Sequence, residues 1–229
     1  AASDVYKRQD IHKGIFISRP NRFIAEVEID GVKEICHVKN TGRCRELLIK
    51  GCTVYCEKSL KPERKTKYDL IAVIKGDRLI NMDSQAPNKA VSEAIPKLFK
   101  EVVSVKPEYS FGASRIDFYI ETETEKILLE VKGVTLEENN TALFPDAPTQ
   151  RGIKHIKELE RSVCEGYRAC ILFLIQMNGA ECFMPNRKTH PEFAEALKTA
   201  SKNGVEIMVY DTDVKENSMR VSKPVKFVI

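Results

Sequence analysis

The sequence predicts an α+β / α/β protein of two domains, a small β-barrel over residues 10–83 followed by a mixed-sheet core of αβββαβ order over residues 84–229. Two observations carry this. Short alternating strands separated by turn signals fill the first third of the chain, with almost no helical periodicity. After Met82 the pattern changes to amphipathic helices interleaved with apolar strands. A chain of 229 residues that is 42% hydrophobic and 31% charged has enough apolar material for two cores, and its mean hydropathy of -0.31 is that of a globular protein. No apolar run approaches the ~20 residues that a spanning helix needs, and no basic-then-apolar leader pattern opens the sequence. No membrane partner and a cytoplasmic location are therefore expected.

Residues 1–9 (AASDVYKRQ) show no usable periodicity and are expected to lie outside the fold. Strands follow at 15–18 and 23–29, where Phe23, Ala25, Val27 and Ile29 alternate with polar partners. Asp30-Gly31 then marks a hairpin turn into a return strand at 32–38. A short helical turn is expected at 45–49, then strands at 53–56, 68–75 and 78–82, the last two joined by Gly76-Asp77. Five or six short strands with one brief helix suit an OB-like barrel, the commonest nucleic-acid-binding barrel of this size. In the second domain a helix is expected at 88–99, entered at Pro87, then strands at 102–107, 115–120 and 126–131 and a long loop to Pro148. Thr149 is a plausible N-cap for a helix to Cys164 with Ile153, Ile156, Leu159 and Val163 on its apolar face. The continuous apolar run 169–175 fits a strand buried on both faces, and a helix at 191–200 precedes a strand at 205–210. Helix, three strands, helix, strand is the order of a restriction-endonuclease-like core.

Charge and cysteine usage narrow the partners. The net charge is +4, and residues 1–83 hold 17 Lys and Arg against 12 Asp and Glu, leaving 20 against 21 for the remainder. The basic excess is thus N-terminal. Lys58, Lys61, Arg64, Lys65 and Lys67 crowd one Pro-containing loop, which suits either a solvated loop or a phosphate-contacting finger. Seven cysteines, an odd number, leave at least one thiol unpaired. Cys36, Cys44, Cys52 and Cys56 lack the CxxC knuckles of structural zinc sites, so buried thiols are expected and zinc is not.

The residues that bear chemistry lie on the hairpin of 115–120 and 126–131. With 122–125 as its loop, the register places Asp117 directly opposite Glu130, and opposed residues are ~5 Å apart at Cα or Cβ. Lys132 shares a face with Glu130 by the strand period of two. Both carboxylates interrupt apolar runs, where an unpaired charge is costly. Hard oxygens of this kind suit Mg²⁺ or Mn²⁺, which polarises a phosphoryl group and acidifies a water. Lys132 would orient that water or offset charge on the phosphorane. On spacing alone, the same residues also suit a carboxylate salt-bridged to Lys132 in an ordinary sheet.

The flanking text is more specific. Gly112-Ala113-Ser114-Arg115-Ile116-Asp117-Phe118, Leu129-Glu130-Val131-Lys132-Gly133-Val134-Thr135-Leu136 and Phe144-Pro145-Asp146-Ala147-Pro148-Thr149, followed by Arg151-Gly152 and Lys154-His155, closely resemble the sugar fermentation stimulation protein family (SfsA). Arg19, Asn21-Arg22-Phe23, His37 and Asn40-Thr41-Gly42-Arg43 extend the resemblance through the N-terminal half. It implies an OB-like domain followed by a PD-(D/E)xK nuclease-like domain. It also implies metal binding by Asp117 and Glu130, a catalytic role for Lys132, and DNA or RNA as substrate. Two departures are Lys39, where the family usually has Pro, and Ile116, where the broader nuclease motif has Pro.

Further candidates follow from position. Glu93 stands where many such nucleases add a helical acid to the metal site, though a solvated helical Glu fits equally well. Arg151, Lys154 and His155 cluster near a helix N-terminus, where cations call for an anionic partner such as phosphate. Gln150 is a weaker neighbour. In the barrel, Arg19, Arg22, His37, Asn40, Arg43 and Lys65 are candidates for tracking a nucleic-acid backbone. Phe16 or Phe23 could stack on bases there, but an aromatic in an alternating strand is more often core, so both are expected in the core, and Gly42 is expected to supply a positive φ. The function implied is a metal-dependent DNA/RNA nuclease, a phosphodiester hydrolase that binds DNA through its basic barrel. The alternatives are a non-catalytic DNA-binding regulator of sugar-metabolism genes and a scaffold with a fossil nuclease domain.

Overall fold

The computed structural model describes residues 5–40, 42–61 and 63–229, so Thr41 of the Asn40–Arg43 segment lies outside the described residues. After β1 (Tyr6–Lys7), the strands β2 (Ile11–Asn21), β3 (Ile24–Ile29), β4 (Val32–Val38), β5 (Thr53–Lys58), β6 (Tyr68–Lys75) and β7 (Arg78–Asn81) form one sheet of order β4-β3-β2-β5-β6-β7. Asp30 and Gly31 both take positive φ, 52° and 76°, as the two-residue hairpin turn between β3 and β4 requires. Parallel pairing of Cys36 with Tyr68 and Val38 with Leu70 joins β4 to β6 and closes β2 to β6 into the OB barrel. The expected helix at 45–49 is a single turn, with Leu48 N donating to Cys44 O at 2.9 Å.

The second domain is a restriction-endonuclease-like core. Its elements are α1 (Ala86–Leu98), β8 (Val102–Phe111), β9 (Ser114–Thr122), β10 (Lys126–Val134), β11 (Leu136–Glu138), β12 (Thr141–Phe144), α2 (Gln150–Cys164), β13 (Arg168–Ile175), β14 (Cys182–Pro185), α3 (Pro191–Lys202), β15 (Glu206–Lys215), β16 (Ser218–Pro224) and β17 (Lys226–Phe227). The main sheet runs β1-β16-β15-β13-β10-β9-β8, with β10, β13 and β15 parallel. Strand β13 is buried on both faces, as its unbroken apolar run predicts. Ile171, Phe173 and Ile175 pack with Ile156 and Leu159 of α2 and Phe193 of α3, while Leu172 and Leu174 pack with Val91 and Ile95 of α1. Thr149 caps α2, its hydroxyl accepting from Gly152 N at 3.0 Å.

Three features depart from the sequence expectation. The segment expected as a loop to Pro148 contains β11 and β12, which form a second sheet of order β11-β12-β14-β17. Short strands that pair with segments some forty residues away carry little local signal; here Phe173 stacks on Phe183 at 4.4 Å and anchors the small sheet to the core. Residues 5–9, expected outside the fold, are part of it: Tyr6 pairs with Met219, and Arg8 is buried, binding Asp83 and donating to Glu57 at 2.7 Å. The third is a buried polar junction between barrel and core. Gln176, just after β13, donates to Asn81 O at 3.0 Å and Asp83 O at 3.1 Å, and Asn81 N donates to Gln176 O at 3.0 Å. Asn81 and Asp83 then accept from Asp83 N and Gln85 N, two successive side-chain turns that lead the chain into α1. No helix among the described residues is long and apolar enough to cross a membrane.

Because Arg8 and Asp83 are both almost fully buried, removing one partner leaves the other charge without compensation. Arg8→Ala is expected to lower the unfolding free energy in urea titrations by about 3–5 kcal/mol. Adding Asp83→Asn to that variant should recover part of the loss, since the carboxylate is then no longer charged.

Candidate active site

The β9–β10 hairpin has the register read from the sequence, with Lys126 opposite Glu121, Ile127 opposite Ile120 and Leu129 opposite Phe118. Both ladders flanking Asp117 skip its rung: β9–β10 pairing stops at Phe118, and β8–β9 pairing passes from Pro107↔Phe118 to Tyr109↔Ile116. Glu108, across from Asp117, has a positive φ of 51°. The strand also switches faces here. Ile116 packs on the α2 side of the sheet, whereas Phe118 and Ile120 pack on the α1 side. Released from regular pairing, Asp117 donates its N–H to Glu130 Oε2 at 3.4 Å. Its own carboxylate accepts from Val131 N at 2.7 Å and from the Asn88 amide of α1 at 2.7 Å.

Glu130 is 1% exposed and shares the parity of Leu128, so it faces α2. There its Oε1 accepts from Lys132 Nζ at 2.6 Å and contacts His155 Nδ1. Lys132 lies 3.5 Å from the same imidazole nitrogen, and Arg151 Nε is 3.4 Å from His155 Nε2. The two carboxylates are driven apart electrostatically. Burial, reinforced by the neighbouring Glu130 charge, raises the pKa of Asp117. Burial acts on Glu130 in the same direction, but the His155 hydrogen bond and the Lys132 charge outweigh it and hold Glu130 below the ordinary carboxylate range. Opposed shifts in adjacent carboxyls are a mark of functional sites. Close packing completes the geometry: a Cβ on Gly133, next to Lys132, would come within 2.4 Å of Gln176 Oε1 and 2.7 Å of Pro87 Cγ.

The sequence candidates divide. Asp117, Glu130, Lys132 and His155 are brought together, with Arg151 at the edge. Glu93 is not: it is exposed on α1, about 140° around the helix from Asn88 at ~100° per residue. Asn88 occupies the position expected of a helical acid and was missed, because α1 begins two residues earlier than its local pattern indicates. His155 is buried rather than free to meet substrate. The inward face of α2 is Gly152, His155, Ile156, Leu159 and Ser162, rotated from the stripe expected through Ile153 and Val163. Lys154 donates to Ala113 O at 2.6 Å, and Gln150 is exposed.

In the barrel, Arg19 is committed to structure, donating to the carbonyls of Arg43, Arg22 and Asn40 at 2.6–2.7 Å. Asn40 donates to Met82 O at 2.8 Å and accepts from Gly42 N. His37, with Lys39 and Arg64, surrounds buried Asp69; burial opposes ionisation there, but the hydrogen bond from Arg64, then the hydrogen bond and charge of Lys39, hold the carboxyl well below its usual range. Arg22, Arg43 and Lys65 are exposed. Phe16 is core as expected, whereas Phe23 is 52% exposed. Phe23 sits in the β2–β3 turn, where Asn21 Oδ1 accepts from Phe23 N and Ile24 N, so it escapes the alternation of the strand that follows. Gly42 is not in the positive-φ region; it is needed for close approach, since a Cβ there would lie 2.6 Å from Asp146 Oδ2. Among the described residues no group of three or more His, Cys, Asp and Glu side chains is gathered as a metal cage. The site offers two carboxylates, the donor number that Mg²⁺ commonly takes from protein.

Comparison with known proteins covers almost the whole chain. Residues 17–82 match the family model described as the SfsA N-terminal OB domain, and residues 85–218 match that of the sugar fermentation stimulation protein RE domain. A sugar fermentation stimulation protein homolog from Ruminiclostridium cellulolyticum is 59% identical over 222 residues, 96% of this chain and 98% of that one. Its counterpart from Clostridium beijerinckii is 54% identical over 225 residues, 97% and 100% of the two chains. The solved structure of Pyrococcus furiosus SfsA in complex with Ca²⁺ superposes with a TM-score of 0.89 at 31% identity, covering 98% of each chain.

The opposed shifts predict opposite mutational signs. Asp117 has a raised folded-state pKa, so its charged form is disfavoured in the fold and its ionisation costs stability as pH rises through that pKa. Glu130 has a lowered one, so it contributes stability above the unfolded pKa that is lost as pH falls. In thermal melts at pH 7 without divalent ions, Asp117→Asn should therefore match or exceed the wild-type melting temperature, whereas Glu130→Gln should fall below it.

Proposed function

The chain belongs to the sugar fermentation stimulation protein family, and from that premise we propose that it is a metal-dependent nuclease that hydrolyses phosphodiester bonds of DNA or RNA. The barrel holds the nucleic acid and the second domain cuts it. One observation carries this reading: Asp117 and Glu130 adjoin on neighbouring strands, Lys132 is hydrogen-bonded to Glu130, and Asp117 is left in an environment that penalises its charge.

The donor set fits a hard divalent cation. Glu130 Oε1 is taken up by Lys132 and His155, which leaves Oε2, among the described residues, with only a long contact to Asp117 N–H. Each Asp117 oxygen accepts a single hydrogen bond and keeps acceptor capacity. Two hard carboxylates on neighbouring strands favour Mg²⁺ or Mn²⁺ over softer metals, and the Pyrococcus furiosus relative bears Ca²⁺. A cation held there supplies polarisation of a phosphoryl oxygen and acidification of a water.

The chain's own groups do the rest. Asn88 and Val131 N hold the Asp117 carboxylate in place from two directions, and His155 fixes Glu130 from behind. The Lys132 ammonium, pinned against Glu130 yet partly exposed, points a proton donor to where an attacking water or a non-bridging phosphate oxygen would sit. As the water oxygen bonds to phosphorus and the opposite ester bond breaks, that fixed positive charge stabilises the charge developing on the phosphoryl oxygens. Arg151, at the rim beside His155, is placed to meet a phosphate. A non-catalytic DNA-binding regulator would use the barrel alone and would draw no benefit from the cost carried by Asp117.

The test is purified protein incubated with single- and double-stranded DNA and RNA in Mg²⁺ or Mn²⁺. Cleavage is expected, falling by about 100- to 1,000-fold or more in Lys132→Ala and in Asp117→Ala, with nucleic-acid binding retained. Binding without cleavage in any metal would favour the regulator instead.

A further inference from the structure

Of the thirteen guanidinium groups of this chain, eight bind a carboxylate, Arg19 binds backbone carbonyls, Arg151 lies against His155, and three gather at one cleft. Arg8, Arg64, Arg78, Arg115, Arg161, Arg168, Arg187 and Arg220 each bind a carboxylate. Arg22, Arg43 and Arg45 have no ion-pair partner among the described residues, are all exposed, and line one cleft of about 450 Å³ between the barrel and Ala147 of the second domain. Arg19 frames this cleft: its guanidinium binds the carbonyls of both Arg22 and Arg43 and so ties the β2–β3 turn to the segment after β4. Three guanidiniums at one cleft, with no carboxylate partner among the described residues, keep their donors available to an anion.

Near the cleft stands Phe23, 52% exposed, with the Arg22 guanidinium 6.0 Å from its ring centroid. An exposed phenyl ring at a turn contributes nothing to the barrel core, but it is a platform for a flat partner. The cleft also leads toward the second domain. It shares Gly42 with a narrower cavity of about 150 Å³ that is lined by Gly133, the residue after Lys132. Asp146 lines that narrower cavity and its carboxylate lies beside Gly42, where the two cavities meet, so an anion is favoured at the end of the cleft that the arginines line.

We propose that the cleft of Arg22, Arg43 and Arg45 with Phe23 is a seat for an unpaired nucleic-acid strand, one phosphate lying among the guanidiniums and the adjoining base stacking on Phe23. This rests on the reading of the protein as a nucleic-acid enzyme and specifies the form of its substrate. A duplex buries its base faces in its own stack and offers Phe23 nothing, whereas a single strand offers both the phosphate and the base face.

Fluorescence anisotropy with labelled oligothymidylate and with a duplex of equal length, in chelator so that nothing is cut, tests it. The wild type should bind the single strand more tightly than the duplex. Phe23→Ala should weaken single-strand binding by about 5- to 150-fold with its salt dependence unchanged. Arg43→Gln/Arg45→Gln should weaken it by about tenfold or more and flatten the dependence of log affinity on log salt by ~0.7 per lost phosphate contact. All these side chains are exposed, so unchanged thermal melts of the variants confirm folding. Duplex binding as tight as single-strand binding, wild-type affinity in both variants, or no binding of oligothymidylate would overturn the proposal. The assay stands apart from catalysis: this binding pattern without cleavage in metal would sink the nuclease reading alone, and cleavage with unaltered variant binding would sink the seat alone.

Discussion

The buried junction of Arg8, Asn81, Asp83 and Gln176 is the constraint on which the two domains' arrangement depends. Polar groups this deep must find partners, because each one left unpaired in the interior costs about 1–3 kcal/mol. Gln176 can satisfy its amide only where the β7 backbone and the Asp83 carbonyl meet the end of β13. That requirement sets the barrel against the sheet. Arg8 binds Asp83 from the N-terminal side, and the Asp83 carboxylate also accepts from Gln85 N at the start of α1. Asn88, one turn further on, therefore reaches Asp117, and the absence of a side chain on Gly133 lets Pro87 and Gln176 close over β10.

The end of β10 that carries Glu130 and Lys132 shows what this framework supports. Glu130 is stabilised as an anion by two partners inside the fold, while Asp117 carries the cost of its burial and of its neighbour's charge. Had stability alone shaped the hairpin, an apolar residue at 117 would have continued β9 without the skipped rungs or the turn at Glu108. The cost sits on the residue best placed to gain from a cation. His155 belongs to the same arrangement: it holds Glu130 in position, a role that the surface-like composition of its helix start conceals.

The barrel separates structural from available charge in a similar way. Asp69 gathers His37, Lys39 and Arg64, residues that look in sequence like part of a basic nucleic-acid surface, and binds them where β4 and β6 close the barrel. Arg19 and Asn40 are spent on backbone groups. Among the described residues of the barrel, the guanidinium groups bound neither to an acid nor to backbone are Arg22, Arg43 and Arg45, gathered in one cleft near an exposed ring. Counting basic residues along the chain gives the sign of the surface but not the place where the charge is free.

The sequence by itself determined the features that arise over a few residues. The Asp30-Gly31 turn, the strands of the barrel, the capped α2 helix and the β9–β10 register that sets Asp117 against Glu130 all follow from turn chemistry and from periods of two and 3.6. Their energetics are local, so a short window contains their cause. The tertiary structure decided what depends on partners far apart in the chain. Arg8 belongs to the fold because of Asp83, 75 residues away, and Gln176 is essential because of Asn81, 95 residues away. Asn88 in place of Glu93, His155 as an inward residue, and Phe23 left outside the core were likewise fixed by how elements pack. A buried polar group is stable only against its partner, and the sequence lists partners without saying which of them will meet.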